Sequence, residues 1–400
     1  MSKELIYQAL EEGEGILNLV PNFVPRRFGE AGFRLRLHPD DYYPYGLKRG
    51  AIKERWFSSV VNCINGDDAP EDEGLSYVAL LSDSSKRFLF KEAVEVLGAQ
   101  LIGKELYQKH GTWPMFAKFF DFKTPLFHHI HLMQHHADLV GKMAKPEAYY
   151  FPFQLNSYSG EVPVTYFGFD PSVTKEEVKE RLLQFEETDN RITELSRAFR
   201  IQLGTGWYVP AGVVHAPGSL LTYEPQLNSD VNAVVENVVA ADHYPYDFLV
   251  ENVPEEKKRD IDFIMSLMDW EKNIDPEFRK HYFRPPLHAA GEEGIYEEKW
   301  ISYGNEYIAA KELTIQPCQT VSIKDSTAYG CILIQGHGKF GVYNAEAAHM
   351  IRFGQMTADE FFVSEDRAKD GVVISNHSIS EPLVILKHFS ASTNKEVPQL

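Results

Sequence analysis

The pair His129-Ile130-His131, followed by Glu147 and then by His215, confines what this chain can fold into more than any other feature. Residues two apart on an extended strand share a face, so His129 and His131 point the same way, and further strands can bring a carboxylate and a third imidazole opposite them. Three neutral imidazoles and one carboxylate suit zinc, iron or manganese, with positions left open for water or substrate. The expectation is therefore a β-rich fold whose strands converge on one divalent metal, held by His129, His131, Glu147 and His215, in a metal-dependent enzyme.

The segment from Gly204 to His215 spells G-x5-P-x-G-x2-H, the second motif of the cupin barrels, with Ser219 where that motif usually ends in Asn. In the first cupin motif the carboxylate follows His-x-His within a few residues, whereas Glu147 lies 16 residues after His131. That longer gap resembles the type I mannose-6-phosphate isomerases. Ordered blocks support the resemblance: Trp113 to Asp121 running into Thr124-Pro125-Leu126 and the histidine pair, Gly168 to Val178 against G-F-x-P-G-V-T-x-E-E, and Pro210 to Ala216 against P-A-G-T-V-H-A. It covers roughly residues 100 to 235 well and the rest loosely; several blocks in order carry more than any one of them alone.

The resemblance implies an all-β-dominated fold of two cupin (jelly-roll) β-barrels, with helical insertions around the first. Residues 1–284 would form the metal-binding unit and residues 285–400 a second, metal-free unit. The patterning agrees with this division. Apolar residues recur at near-helical spacing over about 85–108, with Gly98 as a break, and Thr174-x-x-Glu177 is a capping box heading a helix placed within 174–199. Pro254 suits the first position of a third helix, about 254–272, with Ile261, Ile264, Met265 and Met268 as its buried stripe. Short β-branched and aromatic runs read as strands at Ala148 to Phe151, Val164 to Phe169, Trp207 to Val209, Leu220 to Tyr223 and Ala233 to Val239. After Phe283-Arg284-Pro285-Pro286 helices thin out, and Tyr329 to Phe340 reads as strand, turn and strand with His337 in the turn.

Composition narrows the partners. The 400 residues suffice for two cores, with 44% hydrophobic and 13% aromatic content. Lys and Arg number 40 against 58 Asp and Glu, and the formal charge of −18 repels nucleic acid and anionic membranes. The densest basic run, Lys257-Lys258-Arg259, is flanked by acids and reads as a solvated helix face. Cys63, Cys318 and Cys331 form no disulfide framework, no signal peptide or membrane-length apolar run is visible, and the expected compartment is a reducing cytoplasm.

What the resemblance implies for function is an aldose–ketose isomerase of carbohydrate metabolism acting on a small sugar, with zinc as the first choice of metal and iron or manganese as alternatives. Lys145, Lys118 and Glu224 fall where the family keeps active-site lysines and a carboxylate, and Lys145-Pro146-Glu147 matches its K-P-E. Three positions depart: His129 replaces a metal-binding glutamine, Phe127 a serine that helps hold the substrate's phosphate, and Val234 an arginine. The expected substrate is therefore an unphosphorylated or otherwise altered sugar, because a hydroxyl donor and a planar, permanently charged fork are both gone. Two rival classes are a cupin-type metal oxygenase, favoured by the extra imidazole, and a sugar-binding cupin protein without catalysis. His128 should face away from the site, and His135 and His136 lie beyond the expected end of the metal-binding strand.

Overall fold

The computed structural model of the chain describes residues 3–156 and 162–400; Met1, Ser2 and 157–161 lie outside the described residues. Strands dominate, and their pairing within the sheets is antiparallel. A seven-stranded sheet includes Glu147–Tyr150, Thr222–Leu227, Met115–Phe120 and Ile52–Phe57 as successive neighbours flanking one another, and a five-stranded sheet includes Val164–Phe169, His215–Ala216, His129–Ile130 and Ala233–Val234. A nine-stranded sheet and a four-stranded sheet hold most of the strands beyond Leu287. Among the described residues none of these sheets closes on itself.

Alternation along the strands explains how the sheets stack. Phe120, Tyr149 and Trp207 of the seven-stranded sheet meet Phe167 of the five-stranded sheet in one aromatic core. Their neighbours point the other way: Ala117, Phe119 and Tyr223 pack on Ala310, Ile332 and Leu386 of the nine-stranded sheet. The far face of that sheet, with Leu313, Cys331 and Phe361, closes on Ile323, Phe340 and Ile374 of the four-stranded sheet. Outside the five-stranded sheet, Ile130, Phe169 and Val214 are covered by Val178 and Leu182 of the helix Lys175–Leu183 and by Ile264 of the helix Ile261–Ser266. Two sandwiches thus stand back to back, with helices over the outer face of the first.

The nine-stranded sheet draws strands from both sides of residue 284. Ile16–Val20 lies between Tyr77–Ala79 and Glu360–Val363, in the register Ile16 to Val363 and Asn18 to Ala79. Two buried polar clusters mark the C-terminal side. The Arg55 guanidinium grips Asp359 at 2.7 and 2.8 Å beneath Glu360. Lys311 and Lys387 share Glu298 and Asp325, all four nearly inaccessible.

Several expected elements differ in extent. The capping box forms as expected, with Thr174 accepting from Glu177 N and Glu177 from Thr174 N, yet the helix ends at Leu183 and Ser196–Arg200 is a strand. Pro254 precedes only a single 3₁₀ turn, and Asp260, accepting from Phe263 N, caps the helix that follows. The stretch about 85–108 opens with a strand at Arg87–Leu89 and is then broken into short helices at Gly98 and Gly103. His337 begins the strand His337–Phe340; Gly336, at φ +84°, makes the turn instead. Among the described residues no helix is long and apolar enough to cross a membrane.

Candidate active site

The two sheets of the first sandwich bring the expected ligands face to face. His129 pairs with His215 on one neighbouring strand and with Val234 on the other, so both imidazoles leave the five-stranded sheet together with His131 just beyond the strand end. Glu147 starts a strand of the facing sheet, opposite Val209 and Gln226. The nitrogens of the three imidazoles lie within 4.8 Å of one another, and all four residues are buried. His128 points the other way, its ring 2.7 Å from Glu236, and His136 contacts Ser266 at 3.1 Å, so neither joins the cluster.

The turn that delivers His215 has a local cause. Gly212 takes φ +84°, where a Cβ would lie 3.0 Å from the Asp269 backbone nitrogen. Its N–H donates to His131 O at 2.8 Å, and Asn273 clasps the same turn by donating to Gly212 O and accepting from Val214 N. The glycine of the motif therefore ties the two histidine segments together.

Hydrogen bonding orients each ring for a cation. Nδ1 of His129, His131 and His215 lies 3.0, 2.8 and 2.8 Å from the carbonyl oxygens of Phe127, Val231 and Val213. A carbonyl only accepts, so the proton sits on Nδ1 and each Nε2 presents a lone pair. Burial lowers His131 to about 4 and His129 well below the usual imidazole range, which keeps these two rings neutral. Glu147 then faces lone pairs: its oxygens lie 2.8 Å from His131 Nε2 and 3.1 Å from His215 Nε2. Both of its oxygens and His215 Nε2 are buried without a hydrogen-bond partner. Lys145 Nζ reaches His131 Nε2 and one Glu147 oxygen at 3.2 Å, while the other Glu147 oxygen meets the His215 lone pair. Lone pair against lone pair in a dry interior is unfavourable without a cation between, so the donor set fits a divalent metal.

A ladder of alternating charge runs outward from Glu147. Lys145 Nζ is 3.2 Å from Glu147 and 3.7 Å from Glu224; Lys118 Nζ is 3.2 Å from Glu224 and 4.0 Å from Glu54; Arg26 is 2.8 Å from Glu54 and 3.4 Å from Asp230. The register aligns Glu224 directly with Lys118. Burial and the charge of Glu147 push Glu224 up to about 8 against the pull of the two lysines. Burial acts the same way on Glu54, but Arg26 and Lys118 overcome it and hold the carboxyl at about 2. A cavity of about 230 Å³ opens onto His129, His131, Lys118 and Lys145; Glu147, His215 and Glu224 lie behind its wall. Arg26 and Glu54 escaped the sequence reading. For Glu54 a signal was present in Ile52–Phe57, where Lys53, Glu54 and Arg55 interrupt an apolar run that is wholly buried; for Arg26 there was none.

No family model and no curated protein matches the sequence. Solved structures do. Mannose 6-phosphate isomerase from Bacillus subtilis aligns over 94% of this chain and 99% of its own, with a TM-score of 0.60 and 15% identity. A phosphomannose isomerase variant from Salmonella typhimurium aligns over 94% and 100%, with a TM-score of 0.62 and 11% identity. The chain has the fold of the mannose-6-phosphate isomerases. A zinc-bound mannose 6-phosphate isomerase is similar to it over the same 94%, with a TM-score of 0.61 and 11% identity. The similarity of fold thus extends well past the sequence blocks between residues 100 and 235.

Proposed function

We propose that this chain is a metal-dependent aldose–ketose isomerase acting on an unphosphorylated or otherwise altered sugar. The observation that carries this reading is the union, at one cavity, of a cation-ready cluster with the buried ladder Lys118–Glu224–Lys145. Moving a proton between C1 and C2 of an open-chain sugar needs a base, a means of polarising the oxygens, and positive charge for the developing enediolate. A divalent metal, zinc by the likeness to zinc-bound neighbours, would be held by His129, His131, Glu147 and His215 and would supply the Lewis acidity. Lys118 and Lys145 face the cavity, where their ammonium groups stabilise negative charge on the sugar oxygens. Glu224, between the two, holds the proton in transit. Residues 1–284 would contribute this machinery on one cupin unit, and residues 285–400 a metal-free cupin unit backing the seven-stranded sheet.

The three-imidazole, one-carboxylate set also suits iron- or manganese-dependent oxygen chemistry, and a sugar-binding protein could keep the pocket without turnover. Deuterium wash-in at C2 of free aldoses and at C1 of free ketoses, with metal-loaded protein in D₂O, tests the proposal. Exchange without oxygen uptake is the expected result. Oxygen consumption without exchange would establish the oxygenase instead, and sugar binding with neither would leave a binding protein.

A further inference from the structure

Beside His129 the cavity wall turns aromatic. The Phe127 ring stands 5.5 Å from the His129 ring, 5.1 Å from Phe28 and 4.8 Å from Tyr244, and Phe248 continues the wall 6.0 Å beyond Tyr244. Phe28, Phe127 and Phe248 all line the cavity, and Val234 packs behind Phe127. The charged groups on the same cavity are already committed. Arg26 is neutralised by Glu54 and Asp230, Lys118 is held by Glu224, and Lys145 by Glu147. Arg27 is paired with Asp68, its side chain 43% exposed. Glu54, Asp230 and Glu251 add negative charge to the lining.

Resting on the isomerase reading above, we infer that the sugar taken by this site ends in a methyl group, so that the substrate class is a 6-deoxy sugar rather than a hexose or its 6-phosphate. Three aromatic rings next to the metal cluster offer dispersion and apolar burial to a terminal methyl. That wall gives a terminal hydroxyl no donor or acceptor, so a hydroxyl laid against it loses water without gaining a partner there, and the polar lining groups such as Asn65 and Asn232 belong to the rest of the cavity. A phosphate dianion laid against the same rings would be desolvated likewise, on a lining that carries three carboxylates and whose lysines and arginines each already hold a carboxylate partner. Phe127 and Phe28 are then specificity-determining residues.

The test is calorimetric binding of 6-deoxymannose, mannose and mannose 6-phosphate to the zinc-loaded protein, with C2 exchange followed in parallel. The expected order is 6-deoxymannose tightest, by roughly tenfold or more over each of the others. Phe127→Ser and Phe28→Ser should narrow that margin; Phe28 is only partly buried, so the second variant keeps its fold if the first does not. Equal or tighter binding of mannose or of its 6-phosphate overturns the inference, as does binding of none of the three. Exchange is read separately: the expected binding order without exchange at C2 sinks the isomerase reading and leaves the methyl-binding wall standing.

Discussion

At the scale of single residues, the Nδ1 contacts to Phe127, Val231 and Val213 carbonyls make each imidazole a pre-oriented donor. His131→Ala or His215→Ala should therefore lose the bound metal while the sandwich stays folded, since a core this large draws its stability from packing. Elemental analysis beside near-ultraviolet circular dichroism reads both, and full metal content in either variant would refute the ligand set. Glu224→Gln preserves shape and removes the proton carrier, so turnover should fall by roughly two orders of magnitude or more with metal retained, and Lys145→Met should act in the same direction by removing positive charge. Steady-state rates beside metal content check both. Glu360 lies away from the site. Burial, aided by Asp359 and resisted by Arg55, pushes its carboxyl from an ordinary 4.5 up to about 8. The folded state thus holds a proton that the unfolded chain releases above about 4.5, and the associated stability, complete below that pH, is lost as pH rises through 8. Glu360→Gln should flatten the denaturation midpoint across this window; an unchanged pH slope would show that the group does not titrate there.

At the scale of elements, the turn before His215 is the most exposed to a single change. Gly212→Ala forces a Cβ into a positive-φ position already 3.0 Å from the Asp269 backbone, and should cost at least about 1 kcal/mol while loosening the bond to His131 O. Urea denaturation and metal affinity should both weaken. The glycine was legible in the motif because only glycine tolerates that backbone. The partners that brace it were not: Asn273 reaches the turn from a short helix some 60 residues on, and no local pattern encodes that meeting. Helix starts were legible where a side chain caps them, as at Thr174, while the helix ends at Leu183 and the replacement of Pro254 by Asp260 as the operative cap follow from packing on the five-stranded sheet. Likewise strand periodicity pairs His129 with His131, and the motif resemblance adds Glu147 and His215, but Arg26 and Glu54 come from an edge region whose approach to Lys118 is set by sheet order.

At the scale of the whole molecule, the nine-stranded sheet takes strands from both ends of the chain. A fragment ending at residue 284 would leave Ile16–Val20 without Glu360–Val363 and would uncover Ala117, Phe119 and Tyr223, which pack on strands beyond that point. Such a fragment should fail to give a protease-resistant core, whereas the full chain should unfold in a single transition; a stable, soluble fragment would show that the shared sheet is dispensable. That sharing was hidden from the sequence because strand order depends on contacts hundreds of residues apart, and period-two alternation reports a face without naming its neighbour. The same arrangement bears on synthesis. The partner of Asn18 is Phe361, so at roughly 5–20 residues per second a ribosome needs on the order of tens of seconds between making one and the other. Throughout that interval one edge of an early strand, apolar at every position but Asn18, stays unpaired, and the nascent chain depends on whatever shields it until its last tenth emerges.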